Sequence, residues 1–181
     1  VAMLVLAGCV RQPGAEVKTQ MEIVRREQTW EKLFERGKAF AAVGDHTRGE
    51  QYLASALAAG GDSKKIVPVL MAVCVEAQKY RVAIDYGEAH LRDHPGDAKL
   101  RHLVGTLYLA LGEAAKARSS FEGVLRRSPD EAETHYALGV LFRDNDRDLL
   151  RADEHFRAYL RLNPRGPHEQ DARASLLKVV P

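Results

Sequence analysis

Cysteine is scarce. Two stand in 181 residues, Cys9 and Cys74, in unlike surroundings, and one such pair carries no disulfide framework. Long apolar runs are missing as well. The longest, Val1 to Val10, falls well short of the ~20 residues that a helix needs to span a bilayer. Charge of one sign is not in excess, since 27 basic residues meet 25 acidic ones for a net +2. Without a basic stripe, nucleic-acid binding is not the expected activity. Near-neutrality with 45% apolar residues also excludes a disordered chain. No glycine-rich phosphate loop, serine-centred nucleophile motif or carboxylate pair at a defined spacing occurs. The chain is therefore not read as an enzyme, and no cofactor or small-molecule substrate is expected. Runs of β-branched residues are rare. What the chain has in quantity is Ala, Leu, Arg and Glu, the composition of helices.

The organising feature is a period. Pro95, Pro129 and Pro164 are 34 and 35 residues apart. Around them the same residue types recur. Residues 98–131 carry Val104-Gly105, Tyr108, Ala117, Phe121 and Pro129. Residues 132–166 carry Leu138-Gly139, Phe142, Ala152, Phe156 and Pro164, with one extra residue expected at the turn Asp144-Asn145-Asp146. Residues 64–97 keep Leu70, Ala83 and Pro95, but hold Met71 at the usual glycine, Cys74 at the usual aromatic and Gly87 at the second aromatic. Residues 30–63 keep Gly37, Phe40, Gly49 and Leu53, with Gly61 in place of the proline. Small residues on one helix let its partner approach, and the aromatics fill the space to the next helix. Each proline ends a helix, because the residue before it avoids the α region. Gly44-Asp45 and Gly112-Glu113 mark the turns between paired helices.

A helix–turn–helix period of 34 residues with these small and aromatic positions resembles the tetratricopeptide repeat. The resemblance implies an all-α, right-handed superhelical solenoid, since one unit cannot bury its apolar face alone. The units are 30–63, 64–97, 98–131 and 132–166 of a domain spanning 16–181. An amphipathic helix over 168–179, with Ala172, Leu176 and Val179 on one stripe, is expected to cap the last unit. At the other end Val17, Met21 and Val24 continue a helical stripe, so residues 16–43 read as one long helix or two abutting ones. In this family the first helix of each unit lines the concave face. Carried onto this sequence, the ligand-facing positions include Phe34, Lys38, Ala72, Val75, His102, Thr106, Leu109, Tyr136, Val140 and Arg143, with Lys65 and Lys99 at one side. The Lys/Asn clamp of chaperone-binding members is not present as a set, because Phe34 and Lys38 occupy its first positions. An apolar strip with basic rims suits an acidic or amphipathic protein segment. The plain alternative is that these side chains pack on each other or on the cap helix.

Residues Leu6-Ala7-Gly8-Cys9 resemble a bacterial lipobox, which implies cleavage before Cys9 and a diacylglycerol on its thiol. No charged segment precedes the apolar run, so the signal (residues 1–8) is read as partial. Residues 9–15 form a tether interrupted by Pro13 and Gly14. Inner-membrane retention often uses Asp after the cysteine. Val10 stands there instead, which leans the resemblance to the outer membrane, with the domain facing the periplasm. Small lipoproteins built from these repeats resemble the pilotins of type IV and tight-adherence pili. That implies a scaffold or assembly factor whose partner is an outer-membrane secretin. The alternative is a generic periplasmic adaptor for protein insertion, envelope maintenance or motility complexes.

Three further features point to structure. His90 and His94 have the spacing of a metal pair, with Asp93 and His102 near in sequence. But His90 falls at a core position and His94 precedes Pro95, so no metal is expected. Cys74 reads as a small buried hydrophobe. Asp144-Asn145-Asp146 lacks the glycine and glutamate of a calcium loop and reads as a turn.

Overall fold

The computed structural model describes residues 29–178. Within them lie nine α-helices and no strand. The helices pair as α1 (Trp30–Ala42) with α2 (His46–Ala58), α3 (Ser63–Glu76) with α4 (Tyr80–Asp93), α5 (Ala98–Ala110) with α6 (Ala114–Leu125), and α7 (Ala132–Leu141) with α8 (Leu149–Leu162). A short α9 (Glu169–Ala174) closes the array. Each second helix packs on the next first helix, so contacts run from neighbour to neighbour as in a solenoid. Aspartates cap four of the helix starts. Asp45, Asp62, Asp97 and Asp148 each accept a backbone N–H of the first turn, from Arg48, Lys64, Leu100 and Arg151.

The sequence period is written into the backbone. The turn between the paired helices of each unit contains one left-handed residue: Gly44 (φ 81°), Gln78 (φ 58°), Gly112 (φ 74°) and Arg147 (φ 58°). Their spacings are 34, 34 and 35 residues. The extra residue of the fourth unit is absorbed where it was expected. Residues Phe142–Asp146 widen into a single π-helical turn. Phe142 stays buried like Tyr108 and Cys74, its equivalents in the third and second units.

Packing follows the small-against-large pattern. A Cβ on Gly105 would lie 2.7 Å from Phe121, and one on Gly139 would lie 2.7 Å from Phe156. Both rings are fully buried. In the second unit the two sizes are exchanged. Met71 replaces the small residue of the first helix, and Gly87 replaces the large one of the second. A Cβ on Gly87 would come within 2.9 Å of the Met71 methyl. The two departures from the pattern therefore compensate each other across one interface. His90 and Cys74 are buried, as their positions in the repeat require.

Two boundaries differ from expectation. Thr29 is extended (φ −67°, ψ 146°) and stands ahead of Trp30, so α1 begins there, which rules out one long helix over 16–43 and leaves the reading of two abutting helices untouched. Residues 16–28, with Val17, Met21 and Val24, lie outside the described residues, as do Val179, the tether and Cys9. The cap helix is shorter than 168–179. It spans Glu169–Ala174 because the chain beyond is held by the preceding helix. The Leu177 N–H donates to Asp153 at 2.8 Å, and Arg157 donates to the Leu177 carbonyl at 3.2 Å. These bonds draw the backbone out of the helical path while Ala172 is fully buried and Leu176 half-buried.

Candidate functional site

The first helices lie on the inner side of the curve. Those of units one and two, and of units three and four, touch across the unit boundary, whereas second helices make no contact of comparable extent. The inner face therefore carries the residues singled out in the sequence. Ala72, Thr106, Lys65 and Lys99 are exposed on it, and Phe34, Val75, Leu109, Tyr136 and Val140 are half-buried against the core. An apolar strip runs along α3 and α5 through Val75 and Leu109. Among the described residues Lys65 and Lys99 have no ionic partner, so their charges face solvent beside the strip.

The ends of the strip are organised differently. Lys38 is not a free rim cation. It pairs with Glu35 at 2.9 Å and sits 5.0 Å above the Phe34 ring. His102 turns away from the strip towards the fourth unit, where its Nδ1 shares a 2.8 Å hydrogen bond with the buried Thr134 hydroxyl. Burial lowers its pKa, which keeps the ring neutral. His102 is thus a tie between α5 and α7.

Tyr136 and Arg143, at the fourth-unit end, are already engaged by the chain's own residues 168–175. The His168 ring stacks on Tyr136, with centroids 3.9 Å apart and planes 6° from parallel. Tyr136 donates its hydroxyl to Asp171 at 2.9 Å. Burial, then this hydrogen bond, pushes the Tyr136 pKa up to about 12. Arg143 donates to both Asp171 oxygens at 3.2 Å and to the Ser175 hydroxyl at 2.6 Å. It also donates to Asp144, whose pKa is held down by this bond. Sequence reasoning placed a cap over this end but missed His168, Asp171 and Ser175 as groove residues. The i, i+4 spacing of Asp171 and Ser175 was the available signal.

Elsewhere, a cleft of about 260 Å³ lies among α4, α5 and α6, lined by Glu88, Leu91, Arg92, Arg101, Val104 and Ser120. The His90 and His94 rings are 4.4 Å apart, and His90 Nε2 lies 3.5 Å from Asp97. No cluster of metal-ligating groups is found among the described residues. No helix among them is long and apolar enough to cross a membrane.

With this geometry in view, residues 103–167 match the model of the tetratricopeptide repeat family. No curated protein matches the sequence. Several solved structures share the fold. A tetratricopeptide repeat protein from Parabacteroides merdae superposes with a TM-score of 0.71 at 22% identity, over 82% of this chain and 59% of that one. The chain therefore spans less than two thirds of that protein's length. YrrB, described as a TPR protein with an unusual peptide-binding site, superposes with a TM-score of 0.69 at 17% identity, covering 88% of both chains. MamA from Desulfovibrio magneticus RS-1 does so with a TM-score of 0.67 at 24% identity, over 88% of this chain and 91% of that one. The fold is thus a solenoid of the tetratricopeptide type.

Proposed function

We propose that the chain is a lipid-anchored scaffold at the periplasmic face of the outer membrane, where it holds a protein segment along its inner face. The observation that carries the binding half is the strip of Ala72, Val75, Thr106 and Leu109, flanked by the unpaired Lys65 and Lys99. Contiguous apolar surface rimmed by charge favours a protein partner. The lysines would steer an acidic or amphipathic segment and speed its docking. The anchoring half rests on Leu6-Ala7-Gly8-Cys9, and the resemblance to pilotins makes a secretin the first partner to test.

The test is capture from detergent-solubilised host membranes with the full chain and with Leu109→Asp. Recovery of a secretin by the parent chain, lost in a folded Leu109→Asp, is the expected outcome. A charge in a groove that closes over it is left desolvated. Recovery of a different envelope subunit would favour the generic adaptor. Capture that Leu109→Asp does not weaken would move the binding surface off this face. Intact mass of the native protein should show lipid on Cys9, and an unmodified Cys9 would remove the anchor.

A further inference from the structure

The α9 segment does more than cover an apolar end. Of its residues only Ala172 is fully buried, and Leu176 just beyond it is half-buried. Its other contacts with the first helix of unit four and the π-helical turn after it are polar or stacking, and they fall on residues of the inner face. Asp171 meets Tyr136 and Arg143, Ser175 meets Arg143, and His168 covers the Tyr136 ring. Asp171 on α9 and Ser175 at its C-cap stand four residues apart and turn to the groove, while Ala172 and, just past the cap, Leu176 turn to the core. The segment is tied at both ends outside the groove. The His168 N–H donates to the Tyr159 hydroxyl at 3.0 Å, and Leu177 is held by Asp153 and Arg157. Within the segment a competitor has to displace the Asp171 carboxylate, the Ser175 hydroxyl and the His168 ring, whose Nε2 also lies 3.4 Å from the Glu133 carboxylate. The Arg143–Asp171 pair is part-exposed, with 28% and 45% of the side chains accessible, and such pairs contribute little to stability. A helix of six residues also has little stability of its own.

We infer that residues 167–178 are a resident occupant of the fourth-unit end of the groove, and that a partner engaging this end presents a carboxylate on a short helix in place of Asp171. The inference rests on the groove being the partner-binding face. It adds that the fourth-unit end of that face is closed by the chain itself until an acidic helix competes for Tyr136 and Arg143. The resident segment then serves as a template for the partner: a carboxylate, with a hydroxyl four residues later, on one helical face.

The probe is a fluorescent synthetic peptide of residues 167–178, added to the full chain. Two variants free the site. Ala172→Asp places a charge at a fully buried position of α9 and expels the helix. His168→Ala with Asp171→Ala and Ser175→Ala removes the groove contacts alone, and it decides the matter if Ala172→Asp melts the array. The expected result is at least a tenfold gain in peptide affinity over the parent chain, read by fluorescence anisotropy. A peptide with alanine in place of its Asp171 should not bind, and adding Arg143→Ala should cancel the gain. Equal affinity for parent and variants, binding to none of them at millimolar peptide, or a gain that survives Arg143→Ala each overturns the inference. None of these outcomes touches the wider groove reading, which Leu109→Asp decides at a different unit.

Discussion

At the scale of the residue, tolerance is set by what a side chain would meet. Gly105 and Gly139 face rings that are fully buried and closed in from every side. We expect Gly139→Ala to lower stability by about 1–3 kcal/mol, the range for overpacking a tight core. Gly49→Ala should cost less, because its nearest contact would be 3.3 Å, with Ala41 and the Gly37 carbonyl. Chemical denaturation of the two variants side by side checks the order, and equal losses would refute it. Titration is decided the same way. His155 is packed against His135, with Nδ1 atoms 2.9 Å apart, and stacked on Phe142, which Arg118 and Arg151 also approach. Burial first, then the charges of His135 and Arg151, lowers its pKa to about 4. The unfolded chain takes up this proton near the ordinary value of 6.5, which the folded chain resists. The stability is therefore present above 6.5 and lost as pH falls from there towards about 4. After discounting for partial exposure the loss is on the order of 1–2 kcal/mol. Denaturation at pH 7.5 and 4.5 should show a smaller difference in His155→Gln than in the parent.

At the scale of the element, the turns and the terminal latch carry the next expectations. Gln78 and Arg147 occupy left-handed positions that the first and third units fill with glycine. A side chain there is strained, so Gln78→Gly should stabilise the chain by roughly 0.5–1 kcal/mol despite its greater freedom when unfolded. A lower denaturation midpoint would count against this. Asp153 is 3% exposed and receives hydrogen bonds from Arg157 and the Leu177 N–H. Its pKa is lowered chiefly by the Arg157 bond. Asp153→Ala removes these bonds and should cost about 1.5–3 kcal/mol. The loss should be local first, seen as faster amide exchange over residues 169–178 than over α5 and α6.

At the scale of the whole molecule, stability is distributed. Each unit touches only its neighbours, so cooperativity depends on every interface being sound. The Met71–Gly87 exchange shows how one interface departs from the shared pattern without breaking the stack. On the proposed function, Lys65 and Lys99 act on docking over a longer range than the strip does. Lys65→Glu with Lys99→Glu should slow association with a captured partner and reverse its salt dependence, while the melting temperature stays near that of the parent. An unchanged association rate would show that these charges do not face the approaching segment.

The sequence by itself determined the period, the helix pairs, the turns and the position of the extra residue, because each rests on local chemistry repeated four times. Proline, left-handed turn residues, aspartate caps and small-against-large spacing act within one unit or between adjacent ones. Much of the inner face was legible for the same reason, since helical periodicity says which side a residue occupies. What periodicity does not say is whether a side chain on that side is free. Only the tertiary structure turned His102 into a tie to Thr134, closed Lys38 onto Glu35, and laid Asp171 and Ser175 against Tyr136 and Arg143. The shortened cap is a decision of the same kind. Nothing within 168–179 ends a helix at Ala174, but a buried carboxylate on α8 competes for the Leu177 N–H and wins. A buried carboxylate left without its partners costs far more than one turn of exposed helix gains.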